Sequence, residues 1–109
     1  MSEHVETDER WEDICNESTT ENIPIIIKFG ATWCGPCKLI APYFEQLATK
    51  YGKYGKFLSL DVDEMQDVSQ SMKIRNIPAF VVMKKDEIMQ HYIGSDKHNI
   101  RQLVVKHCG

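Results

Sequence analysis

Apolar residues recur along this chain with two periods, one helical and one extended. Trp11, Ile14 and Cys15 fall at i, i+3 and i+4, which predicts a first helix over Thr7–Asn16 with Thr7 as its N-cap. Ser18-Thr19-Thr20-Glu21-Asn22 reads as the loop that follows. Pro24–Ala31 is a nearly continuous apolar run of strand length, as expected for a strand covered on both faces, and Lys28 is its only interruption. Ile40, Phe44, Leu47, Ala48 and Tyr51 then return to helical spacing, with Pro36 in the first turn and Gly52 as the stop. Pro42 lies inside that helix, removes a backbone donor and is expected to bend it.

Phe57–Val62 alternates like a strand, and Asp63 with Gln66 three residues on resembles a capping box opening a short helix that carries Met65, Val68 and Met72. Ala79–Met83 and Ile88–Ile93 predict two strands joined by Lys84-Lys85-Asp86-Glu87 as a hairpin. A last helix begins near Ser95 or Asp96, with Ile100, Leu103, Val104 and His107 on one face. A short strand over His4–Glu6 completes the pattern. The order α, β, α, β, α, β, β, α, with a crossover followed by a hairpin, predicts an α/β fold with one mixed sheet and helices on both faces.

Composition narrows the picture. The chain has 109 residues, which fits one domain over residues 1–109. Thirteen basic and 16 acidic residues give a net charge of −3, without the basic signature of nucleic-acid or anionic-membrane binding. The longest apolar runs are only a few residues, too short for a membrane-spanning helix. The polar, acidic start Met1-Ser2-Glu3-His4-Val5-Glu6 carries no secretory signal pattern, so a cytoplasmic location is expected. Four cysteines are too few for a disulfide scaffold. Cys15 and Cys108 stand alone, while Cys34 and Cys37 form a C-x-x-C that points to redox chemistry or a metal.

That pair sits in Trp33-Cys34-Gly35-Pro36-Cys37-Lys38, where the apolar strand ends and a helix begins. Disulfide exchange needs two thiols close enough to bridge, one of them readily ionised. Two intervening residues bring the sulfurs together across one helical turn. The unpaired N–H groups and positive dipole end of the helix favour a thiolate at Cys34. An unperturbed cysteine titrates near about 8.5 and is mostly protonated at neutral pH, so a drop of a unit or more matters. By position, Cys34 is outermost and the expected nucleophile; Cys37, one turn into the helix, is more shielded and the expected resolving thiol. Pro36 should rigidify the loop. Ile77-Pro78 precedes a strand, and an X-Pro bond in such a turn is a candidate for the cis form.

Phe29-x-Ala31-x-Trp33-Cys34-Gly35-Pro36-Cys37-Lys38, then Ala41-Pro42, Asp61-Val62-Asp63, Ile77-Pro78 and Gly94, resembles the thioredoxin family in order and spacing from about residue 20 to the end. The resemblance implies a single mixed sheet of four to five strands flanked by four helices. It implies a redox disulfide between Cys34 and Cys37, a cis Ile77–Pro78 bond beside it, and a client groove lined by Trp33, Gly35, Pro36, Ile77, Pro78 and Gly94. It also implies a protein-disulfide reductase that binds no cofactor itself and draws electrons from NADPH through a thioredoxin reductase. Its partners would then be that reductase and disulfide-containing client proteins.

Three positions depart from the family. The buried acid six positions before the first cysteine is Lys28 here, its lysine partner on the next strand is Ser59, and the aromatic two positions after the acid is Gly30. Lys28 has two readings. Its stem packs in the core while the ammonium reaches water through the space Gly30 leaves, or it acts on Cys37 as a charge or a proton acceptor. In the second reading, Lys28→Met raises the thiol pKa and makes the protein more reducing.

Other residues read more plainly. A structural zinc site needs four ligands, and no second ligand pair completes Cys34 and Cys37, so no metal is expected. Cys15 lies on the apolar stripe of the first helix and reads as core. Cys108 falls in a terminus expected to be mobile, an ordinary exposed thiol with the means to link a monomer into a dimer. Two functions from different classes fit the chain: a thiol–disulfide oxidoreductase, and a non-enzymatic interaction module using the same groove. Retention of both cysteines around Gly35-Pro36 favours the enzyme.

Overall fold

The apolar run becomes the middle of a sheet. In the computed structural model, which describes residues 1–109, β2 spans Ile25–Gly30 and is flanked by β3 (Lys56–Asp61) and β4 (Ala79–Lys84). β5 (Glu87–Ile93) and the two-residue β1 (Glu3–His4) complete the order β1-β3-β2-β4-β5. β1, β3 and β2 run parallel, whereas β4 runs antiparallel to β2 and β5 antiparallel to β4. This is the expected mixed sheet.

Alternation along β2 separates two cores, because successive side chains leave opposite faces of a strand. Ile25, Ile27 and Phe29 face one way, with Leu58, Leu60 and Val81, and are covered by Ile14 of α1 (Asp8–Glu21) and Val68 of α3 (Gln66–Ser71). Ile26 faces the other way with Phe57, Phe80 and Val82, under Phe44 of α2 (Gly35–Tyr51) and Ile100 and Leu103 of α4 (Lys97–Cys108). The even positions Lys28 and Gly30 therefore point toward α2.

Several element ends differ from expectation. Thr7 does cap α1, its side chain accepting the Arg10 N–H at 3.1 Å. The helix then continues through Ser18–Glu21, the stretch read as a loop. Ser18 is buried with its hydroxyl on the Ile23 carbonyl at 2.5 Å, Thr20 donates to the Asn16 carbonyl, and Asn22 closes the helix in the left-handed region. Local Ser/Thr preference is worth only tenths of a kcal/mol, and packing overrides it. α3 lacks the expected capping box and begins two residues later, at Gln66, with Met65 as its N-cap. The Asp61 carboxylate instead accepts the Asp63 N–H at 2.7 Å, which leaves the Asp63 side chain free for another partner. The hairpin turns through Lys85 and Asp86, both at positive φ.

Candidate active site

Register gathers the predicted residues at one end of the sheet. Gly30 pairs with Asp61 and Phe29 with Ala79, and Ala79 also pairs with Ile93. The chain leaving β2 toward Cys34, the segment entering β4 at Ile77-Pro78, and Gly94 just after β5 thus emerge side by side. Asp63 follows the same end of β3.

Cys34 is the N-cap of α2 and is bonded to Cys37, its Sγ also lying 3.3 Å from the Cys37 N–H. Gly35 and Pro36 form the first helical turn, where Pro36 has no obligatory hydrogen bond to lose. A thiolate at Cys34 would therefore meet backbone N–H groups and the positive end of a 17-residue helix. One expectation needs correction: Cys34 is no more exposed than Cys37, both being 5% accessible. What separates the two is surroundings, since Cys34 sits at the helix mouth whereas Cys37 walls a cavity under α2.

The Ile77–Pro78 bond is cis. Pro78 is buried and its carbonyl accepts the Gly94 N–H at 3.0 Å, which ties the two loops of the expected groove together. Gly94 has φ +142°, and a Cβ there would lie 2.7 Å from the Tyr92 hydroxyl oxygen. Only glycine fits this position. Trp33 is 68% exposed, with its indole N–H donating to Asp63 at 2.9 Å.

Three contributors escaped the sequence reading. Asp63 is the acceptor for Trp33, and exposed Leu39 and Ile93 add apolar surface at the same end. Leu39 stands off the buried Ile40–Phe44–Leu47 stripe, a signal the sequence does contain.

The departures converge on Cys37. A Cβ on Gly30 would come within 3.3 Å of Cys37 Cβ and 3.4 Å of its Sγ. Beside this pair lies a cavity of about 460 Å³, open to solvent, whose walls include Lys28, Gly30, Cys37, Lys38, Ser59 and Asp61. The Lys28 ammonium lies 5.6 Å from the centre of the Phe44 ring. Burial lowers its pKa from the ordinary lysine range, with Glu45 acting in the opposite direction.

The lone cysteines are placed differently from expectation. α4 runs on through Cys108, which is 6% exposed and packs beside Gly55 and Ile26, and burial pushes its thiol up to about 11. The mobile terminus expected there is helix, because Leu103, Val104 and Cys108 form one buried stripe. A Cys108-linked dimer would first require the end of α4 to unwind. Cys15 is half-buried rather than core, its thiol raised to about 11, mainly by burial and further by Asp86 and Glu12.

The family profile described as Thioredoxin matches residues 2–106. The chain belongs to the thioredoxin family. Thioredoxin H4 of Arabidopsis thaliana is 35% identical over 103 residues, covering 94% of this chain and 87% of that protein. A thioredoxin of Coprinus comatus is 40% identical over 95 residues, 86% of this chain and 90% of its own. Among solved structures, thioredoxin NaTrxh from Nicotiana alata superposes with a TM-score of 0.92 at 30% identity, over 99% of this chain and 93% of that one. The fold is the thioredoxin fold, and the chain is a thiol–disulfide oxidoreductase that reduces protein disulfides. No helix is long and apolar enough to cross a membrane.

Proposed function

We propose that Cys34 attacks client disulfides, that Cys37 resolves the resulting mixed disulfide, and that the surface around Trp33, Gly35, Pro36, Ile77, Pro78 and Gly94 receives the client chain. The observation that carries this reading is the placement of Cys34 Sγ at the N-cap of α2, 3.3 Å from the Cys37 N–H. In the first step the Cys34 thiolate bonds to one client sulfur and the other leaves as a thiolate that takes up a proton. Cys37 then loses its proton and attacks Cys34 Sγ, and the second client thiol departs. The client gains two electrons and two protons, and the Cys34–Cys37 disulfide forms.

An extended client strand suits the exposed groove, with the Ile77 backbone offering strand-like hydrogen bonds. No cofactor need bind this chain. Two electrons return from NADPH through a thioredoxin reductase, and a reducing cytoplasm is the compartment where this direction of flow is sustained. The protein acts as a monomer toward both partners, with no nucleic acid or membrane involved.

Insulin reduction driven by dithiothreitol tests the assignment. Acceleration over reductant alone is expected, with loss in Cys34→Ser and accumulation of a client-linked mixed disulfide in Cys37→Ser. No acceleration by the intact pair would instead favour a binding module.

A further inference from the structure

Lys28 is a cation without an ion-pair partner. None of the five ion pairs in the structure includes it. The carboxylate that acts on its titration, Glu45, is held by the backbone N–H and hydroxyl of Ser2. The same cavity is walled by Cys37, a neutral group in the disulfide that becomes an anion when the mixed disulfide is resolved. A fixed charge facing a site where the opposite charge develops acts most strongly when that charge forms.

We propose that Lys28 is a positioning residue for the resolving step: its ammonium stabilises the Cys37 thiolate as it forms, while the thiol proton leaves to solvent through the cavity that both residues line. The inference rests on the roles assigned above to Cys34 and Cys37. The proton passes from Cys37 Sγ to water, the Cys37 thiolate bonds to Cys34 Sγ, and the client thiolate departs and is protonated from solvent. No buried acceptor is required, which suits a chain that offers a half-buried cation at this position instead.

Among the charged groups lining the cavity, the Lys28 and Lys38 ammoniums outnumber the single Asp61 carboxylate. From α2, Lys38 adds a second cation and Glu45 opposes Lys28. From β1, His4 is bound to Glu64 at 2.8 Å, and from β3, the Asp61 carboxylate, which accepts the Asp63 N–H, opposes the two cations. β4 contributes only the apolar Phe80, the register partner of Lys28.

The test is stopped-flow reaction of the reduced protein with a chromophoric aromatic disulfide over pH 5–10. The first release of aromatic thiolate reports Cys34 attack, and the second reports Cys37 resolution. Removing one nearby charge raises the resolving pKa by about one unit. That cuts the thiolate fraction tenfold at neutral pH, while the more basic sulfur regains about threefold in nucleophilicity. In Lys28→Met the second release should therefore slow about three- to fourfold at pH 7, its midpoint should rise about one unit, and its profile should cross the wild-type profile at alkaline pH. Lys28→Arg should restore the wild-type profile.

A purely structural defect moves no midpoint and produces no crossing. An unmoved midpoint in a folded Lys28→Met protein overturns the proposal, as does an arginine variant that matches the methionine one. Loss of the first release in the wild type overturns the Cys34 assignment itself, a separate failure visible in the same traces.

Discussion

The indole N–H of Trp33 donates to the carboxylate of Asp63 across 30 residues of sequence, at 2.9 Å, while the ring remains largely exposed. A bond to an exposed carboxylate holds the ring without burying it, leaving a broad apolar face turned to solvent. Such a bond is worth about 1 kcal/mol, or roughly fivefold in an equilibrium. Asp63→Ala should raise KM for insulin by about that factor and leave kcat within twofold. Steady-state kinetics decides it, and an unchanged KM would show that the bond does not organise the client surface.

Gly94 occupies a conformation that other residues reach only with strain, and the space its Cβ needs is taken by Tyr92. Its N–H also secures the Pro78 carbonyl. Gly94→Ala should cost about 1–3 kcal/mol, with client turnover falling because the Pro78 loop loses its anchor. For a domain of this size that corresponds to a lowering of Tm by roughly 4–20 °C, measured by calorimetry.

Much of this site was legible because one hexapeptide, Trp33–Lys38, carries thiols, loop and helix start together. β2 was readable from its apolar run, and Thr7 as a cap from the stripe behind it. Other features depended on distant partners. Ser18 stays helical because burial and the Ile23 carbonyl reward it, which no local propensity contains. Asp63 has the right spacing for a cap, yet its side chain reaches back to Trp33. Cys108 is hidden because Gly55 and Ile26 close over it. Gly30 was visible as a departure, but the cavity beside Cys37 exists only once β2 and α2 are packed.

Burial of Cys108 predicts a differential reaction. After mild reduction, iodoacetamide at pH 7.5 should modify Cys34 and spare Cys108, whose thiol is raised to about 11. Mass mapping of the labelled peptides checks this; rapid Cys108 labelling would mean that the end of α4 frays. The same shift has a consequence for stability. A thiol that ionises near 9 when unfolded and near 11 when folded contributes fully below pH 9, and that contribution is lost as pH rises from about 9 to 11. Cys15 shifts in the same direction. Cys108→Ala should therefore flatten the alkaline decline in urea midpoints above pH 9, while the contribution of Cys15 to that decline remains.

Lys28 should carry a stability cost that matches its role. Placing an ammonium partly under α2 without an ion-pair partner removes hydration that the Phe44 ring and the distant Glu45 only partly replace. Methionine has a similar shape and no charge. Because the lysine side chain still meets solvent, the cost is modest, about 0.5–1 kcal/mol after allowing for screening. The oxidised Lys28→Met protein should therefore unfold at higher urea than the wild type at pH 7. The gap should close as pH rises through the lowered folded-state pKa of Lys28, because neutral lysine no longer bears the desolvation cost. Equilibrium denaturation at pH 7 and pH 10.5 measures both statements. If the methionine variant instead proves less stable at neutral pH, the ammonium is well solvated or paired, and the unsatisfied cation inferred beside Cys37 would not exist. A more stable variant that resolves mixed disulfides more slowly would show that the cavity at Gly30 holds a charge kept for chemistry rather than for folding.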